Sequence, residues 1–292
     1  MRKVGLVPLA CAGVMMMAGC ETHEAQTKEE GNTAAWIYPS QTVAQQRRVA
    51  EPRGITLTDW HIHIRGGMTP QKAAEREKSR AVRSAVLENF GREWPLSNNV
   101  AVAAFITDCK KAKGIPVGLQ VNDRDWYTQI DPTLYGQLDF ILADTMIMGV
   151  TAEGKPRRLW LPDVKIDDPD AWMEEYVAHN LRILDEPVSI LANPTYLPAC
   201  IAGQYDRLWT DERMRKVITK AIENGVALEI QAESGFPKPS FIRLAKQMGA
   251  KFSFGTNNHD DKVKDLSAWF DAIGLADLRA SDIATIRKRP LK

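Results

Sequence analysis

The chain has 292 residues, 44% of them hydrophobic and 26% charged, with 38 basic side chains against 37 acidic ones. That composition excludes a disordered, collagen-like or multi-span membrane chain. A formal charge of +1, with no basic run longer than the cluster at Arg287, Lys288 and Arg289, also argues against nucleic acid as a partner.

Arg2 and Lys3 give the chain a basic start, residues 4–18 form an uncharged, largely apolar run, and Met17-Ala18-Gly19-Cys20 closes it. A membrane-spanning helix needs about 20 apolar residues, so this shorter run ending in small residues reads as a secretory signal. The segment 1–19 resembles a bacterial lipoprotein signal peptide. That resemblance implies lipidation of Cys20, cleavage before it, and an exported protein anchored on the periplasmic or cell-surface side of a membrane. Of the four cysteines, Cys109 and Cys200 then remain in the body of the chain, and no Cys-x-x-Cys spacing occurs. Residues 20–53 are mostly polar and read as a tether and lead-in, with an apolar island at Trp36-Ile37-Tyr38-Pro39.

From residue 54 to the end, short apolar runs alternate with amphipathic stretches. Strands are expected over 55–64, 84–88, 116–121, 140–146, 188–193, 226–230 and 251–255. Helices are expected over 70–83, 98–113, 170–185, 211–224, 239–249 and 265–273. Such alternation predicts an α/β fold with a parallel sheet, and seven repeats close more naturally into a TIM-like barrel than into an open sheet. Two stretches break the rhythm. Residues 149–168 are too long for an ordinary connection and read as a lid or hairpin insertion, and 199–210 invites the same reading.

Catalytic groups of a parallel barrel belong at the carboxyl ends of its strands. There the first strand carries Asp59-Trp60-His61-Ile62-His63, whose two histidines at i, i+2 share one side of a strand and can clamp a metal. His259 follows the last strand in Gly255-Thr256-Asn257-Asn258-His259-Asp260. His179 lies mid-helix, where a solvated or capping role is expected.

Asp-x-His-x-His on the first strand resembles the polymerase and histidinol phosphatase superfamily, as do Leu228-Glu229-Ile230 and the stretch from Gly249 to His259. The resemblance implies a distorted seven-stranded (β/α)7 barrel, up to three divalent metal ions and phosphoester hydrolysis. Carried over residue by residue, it makes His61, His63 and His259 metal ligands and Glu88 a ligand or base. The family's other ligand positions fall on Asn89, Gln120, a site near Met146 with Asp144 as substitute, Asn193 and Asn257. Amides supply donor oxygens without charge, so mutual repulsion between cations should limit the site to fewer than three ions of zinc, manganese or iron.

The first functional expectation is thus a metal-dependent, phosphoesterase-like hydrolase acting through activated water, with Glu88 and Asp144 as acid-base groups and Arg65 steadying developing charge. Its substrate is expected to be a small polar molecule of sugar or sugar-phosphate type, met by Asn89, Gln120, Asn193, Asn257 and Arg124, with Trp60, Trp94, Trp126, Tyr127, Trp160 and Tyr196 available for stacking. A second reading keeps the barrel without metal, its amides lining a pocket that captures a ligand. A third, an amidohydrolase barrel, shares the His-x-His start but normally has an Asp where Asn257 stands.

Overall fold

Seven parallel strands close into a barrel in the order β1 (Thr58–His63), β2 (Arg83–Phe90), β3 (Val117–Val121), β4 (Phe140–Asp144), β7 (Ile190–Ala192), β8 (Ala227–Gln231) and β9 (Phe252–Gly255). A separate two-stranded hairpin, β5 (Ile147–Val150) and β6 (Pro156–Arg158), is inserted after β4. This computed structural model describes residues 40–291. The readings at Cys20, at the segment before it and at Trp36-Ile37-Tyr38-Pro39 lie outside the described residues.

All seven expected strands form, and the helices Asn99–Cys109, Pro169–Asp185, Asp211–Asn224, Pro239–Met248 and Ser267–Leu275 match expected stretches to within a few residues. Their ends follow local chemistry. Asn98, Asp168 and Thr210 cap the first three of these by accepting from backbone N–H groups two or three residues on, while Gly225 and Gly249 end helices in left-handed geometry. The lead-in differs from a plain tether: Ser40–Gln45 and the turns to Arg53 are helical, and Ala50 is buried in the core.

Each strand sends alternate residues inward, and these inward columns change character along the barrel axis. Ala85, Leu87, Phe140, Leu142, Ile190, Ala192 and Ala227 form an apolar interior cluster, separate from the larger core between sheet and helices. At the carboxyl ends the same columns turn polar, to Asn89 on β2, Gln120 on β3, Asp144 on β4, and Glu229 and Gln231 on β8. Register shifts between Asp59 and Ile62 on β1. There two consecutive side chains find interior partners, Trp60 with Phe140 and His61 with Gln120 and Glu229. Asp59 ties the two ends of the sheet together, accepting from the Thr256 N–H at 3.0 Å and the Thr256 hydroxyl at 2.6 Å.

Some expectations are corrected here. His179 is buried on the barrel side of its helix beside Tyr176, because the helix face carrying Met173, Tyr176 and Ile183 is the one that packs. The 199–210 stretch is no lid: Tyr205 and Trp209 are core residues. Among the described residues no helix is long and apolar enough to cross a membrane.

Candidate functional site

The polar ends of the inward columns form the floor of a cleft of about 550 Å³ at the carboxyl end of the barrel. Arg65, Asn89, Gln120, Asp144, Asn193, Asn257 and His259 all line it, so the structure gathers most of the residues expected from sequence. Trp94, Trp160, Tyr196 and Arg158 form its upper wall.

His61 and His63 are both fully buried beneath the floor, with ring centroids 5.3 Å apart. His61 Nδ1 lies 2.7 Å from Glu229 Oε1, and its Nε2 lies 2.8 Å from Gln120 Oε1. His63 Nδ1 faces Glu88 Oε1 at 3.4 Å, while its buried Nε2 has no hydrogen-bond partner among the described residues. A carboxylate on Nδ1 fixes the tautomer that carries the proton there, leaving Nε2 as the lone-pair nitrogen. The 2.8 Å between His61 Nε2 and Gln120 Oε1 is hydrogen-bond distance, and the doubly protonated form of His61 supplies the proton that the amide oxygen accepts.

Electrostatics at the floor follow from burial and partners. Burial opposes the charged form of His61, but the Glu229 carboxylate outweighs it and draws the imidazole above its ordinary value. For His63 burial outweighs the longer contact to Glu88, and with His61 and His259 nearby it pushes the imidazole down to about 3. Burial and the nearby Arg65 bring His259 down to about 4. Burial raises Asp144 to about 6, against hydrogen bonds from Met146 N and Asn193 Nδ2. Burial would also raise Glu88, but hydrogen bonds from His63 and Arg65 hold it down at about 2. Arg65 grips Glu88 with two nitrogens, Nε reaching Oε2 at 3.0 Å and Nη2 reaching Oε1, and the Asn89 N–H donates to Oε1 at 2.6 Å. Both oxygens of Glu88 are therefore occupied.

The amides are held with similar care. Asn193 and Asn257 have left-handed backbone, with φ 49° and φ 50°, a conformation that Asn tolerates better than most side chains. Asn193 donates from its side chain to Asp144 and from its backbone to Glu229 Oε2 at 3.0 Å. Asn257 Oδ1 lies 3.1 Å from His259 Nε2 at the rim. His259 stands edge-on to His63, with centroids 4.3 Å apart.

Several expected residues lie elsewhere. Arg124 is outside the cleft: its Nη1 pairs with Glu186 at 3.1 Å and its Nη2 donates to Val121 O, because the loop after β3 turns it toward the helical layer. Trp126 is wholly buried with its N–H on Glu186, and Trp60 packs at the opposite end of the barrel against Phe140. Glu229 was not among the expected site residues. Its signal was available, since an acid inside the apolar run Leu228-Glu229-Ile230 must find a partner when that strand is buried.

Among the described residues no three His, Cys, Asp or Glu side chains converge closely enough to hold a metal by themselves.

No family model and no curated protein sequence matches the chain. Among solved structures, it is similar to a histidinol phosphate phosphatase from Lactococcus lactis subsp. lactis Il1403 complexed with zinc, L-histidinol and phosphate, with TM-score 0.52 and 15% identity. The match covers 81% of this chain and 98% of that one. At that identity the likeness concerns the fold: a closed, seven-stranded parallel barrel ringed by helices.

Proposed function

We propose that the cleft is the active site of a metal-dependent, phosphoesterase-like hydrolase acting on a small polar molecule. One observation carries the reading: both histidines of His61-Ile62-His63 place Nδ1 on a carboxylate, which turns each Nε2 away from it, that of His63 buried without a partner among the described residues and that of His61 facing the Gln120 oxygen. His61, His63 and the Gln120 oxygen would hold one zinc, manganese or iron ion, and His259 stands beside them at the rim. The ion supplies the Lewis acidity that makes water reactive near neutral pH.

The chain's own groups do the rest. Glu229 and Glu88 orient the two imidazoles. Asp144, fixed by Met146 N and Asn193, presents a carboxyl group to the cleft floor for holding or moving a proton. Arg65, anchored through Glu88, presents remaining N–H groups toward the cleft, where developing negative charge on a phosphoryl oxygen is stabilised. Asn89, Asn193 and Asn257 offer neutral polar contacts to the remainder of the substrate.

Elemental analysis of the purified protein and p-nitrophenyl phosphate turnover test this together. The expected result is close to one divalent ion per chain and turnover lost in His61→Ala. Protein purified from metal-supplemented cells that binds no divalent ion in titration overturns it. A metal-free ligand-capturing site is the second reading, favoured by the Arg65 guanidinium already neutralising Glu88. It predicts ligand affinity indifferent to chelator.

Export and lipid anchoring through Cys20 belong to the same proposal and rest on the order of charge, apolar run and small residues before that cysteine. Incorporation of labelled fatty acid into the wild type, and its loss in Cys20→Ala, is the expected outcome.

A further inference from the structure

The cleft holds two arginines and abuts a lysine, and they differ in their partners. Arg65 is bound to Glu88, and Lys264 pairs with Glu233 at 3.0 Å. Arg158 has no carboxylate within ion-pair distance among the described residues. Its guanidinium instead lies over the Trp94 ring, 4.9 Å from the centroid, and 6.0 Å from the centroid of Trp160. Indole faces attract a cation without consuming its N–H donors, since those lie in the guanidinium plane. Arg158 is therefore held in place with its planar fork free to accept an anion.

Its mounting points the same way. Arg158 ends β6, the second strand of the hairpin inserted after β4, and Trp160 follows two residues later. Trp94 comes from the loop after β2, on another side of the mouth. Among the described residues Trp94 Nε1 is buried with no hydrogen-bond partner, so a second donor at this wall is also unused. Trp160 remains 41% exposed, so its ring is open to a ligand that enters the cleft.

We propose that Arg158 is a specificity-determining residue that receives a second anionic group of the substrate, a carboxylate or a further phosphate, remote from the group acted on at the floor. The substrate class is then a small phosphoester bearing an additional acid. The inference rests on the proposed phosphoesterase reading for which group is cleaved, but the anion contact at Arg158 stands or falls by binding alone.

The test compares ligands that differ only in the second anion, using intrinsic tryptophan fluorescence of the full-length protein with and without added zinc. Glycerol 3-phosphate is set against 3-phosphoglycerate, and fructose 6-phosphate against fructose 1,6-bisphosphate. The first pair reads a carboxylate and the second a phosphate. The wild type is expected to favour the doubly anionic member of at least one pair by about tenfold or more, the worth of a charge-assisted bidentate contact. Arg158→Met, which keeps an apolar stem against Trp94, is expected to abolish that preference, and Arg158→Lys to restore part of it, while affinity for glycerol 3-phosphate changes less than twofold. Equal affinity within both pairs overturns the proposal, as does a preference that survives in Arg158→Met. Absent turnover with an intact, Arg158-dependent preference sinks the hydrolase reading and leaves this one standing.

Discussion

Gly255, the last residue of β9, faces the buried pair His61–Glu229 with no room to spare. A Cβ placed on it would lie 1.9 Å from Glu229 Oε1 and 2.8 Å from both Glu229 Cδ and His61 Cβ. His61 Cβ is fixed by its strand, so in Gly255→Ala the carboxylate must yield, by about 1.5 Å to reach ordinary contact. The 2.7 Å contact to His61 Nδ1 and the 3.0 Å bond from Asn193 N cannot both survive that movement. Separating a fully buried ionic pair costs about 3–5 kcal/mol, since the stranded carboxylate finds neither water nor a new partner. For a chain of this size that corresponds to a fall in Tm of roughly 10 °C. On the proposed metal-binding reading, divalent-ion affinity should fall as well, by about 10–100-fold, because His61 loses the partner that orients it. Calorimetry and chemical denaturation of the wild type, Gly255→Ala, Glu229→Ala and the double variant measure the effect as a cycle. Gly255→Ala should cost about 2 kcal/mol less in the Glu229→Ala background, where the clashing carboxylate is gone. Additive costs, or a Gly255→Ala protein within about 0.5 kcal/mol of wild type, refute the steric reasoning.

Other consequences can be checked separately. The tail beyond β9 closes the amino end of the barrel: Ala284 N donates to Phe252 O, Ile286 packs on the interior cluster, and Arg289 Nη1 donates to Glu186 O at 2.6 Å. Deleting residues 284–292 should cost roughly 3–5 kcal/mol from lost apolar burial and hydrogen bonds, read as a lower urea midpoint; an unchanged midpoint contradicts the capping role. Burial, only partly opposed by Arg124, raises Glu186 to about 7. A carboxyl whose folded pKa lies above its unfolded value stabilises the fold most when protonated, so its contribution is present below about pH 4.5 and lost as pH rises through about 7. Between those limits wild-type stability should decline by about 1–3 kcal/mol relative to Glu186→Gln, and parallel pH profiles from denaturant titration count against this assignment. Glu88 has the opposite sign: held at about 2, it stabilises the protein above its unfolded pKa and loses that effect as pH falls toward about 2. Glu88→Gln should therefore flatten the acid limb of the same profile.

Much of the barrel was legible because its signals are local. Each strand is a short apolar run, each crossover helix has its own caps, and the His61-Ile62-His63 spacing places two imidazoles on one strand whatever surrounds them. The lead-in helix at Ser40–Gln45 was not legible, because its sequence is polar and only contact with the body buries Thr42, Gln46 and Ala50. Nor were the true orientations of Arg124 and Trp126, since the turn after β3 decides whether they face the mouth or the helical layer. Aromatic residues divided the same way. Trp94, Trp160 and Tyr196 reach the cleft, whereas Trp60, Trp126 and Tyr127 do not.

By itself the sequence determined an α/β chain of seven strand-helix repeats, a near-neutral surface and the histidines at the end of the first strand. Tertiary structure alone decided that Glu88 is taken by Arg65, that Glu229 makes the short contact to His61, and that Arg158 stands in the cleft without an acid partner among the described residues. The physical reason is range. Strand and helix periodicity act over a few residues, but the protonation and free valences of a buried group depend on partners more than 100 positions away, as between His61 and Glu229, which only chain closure brings together.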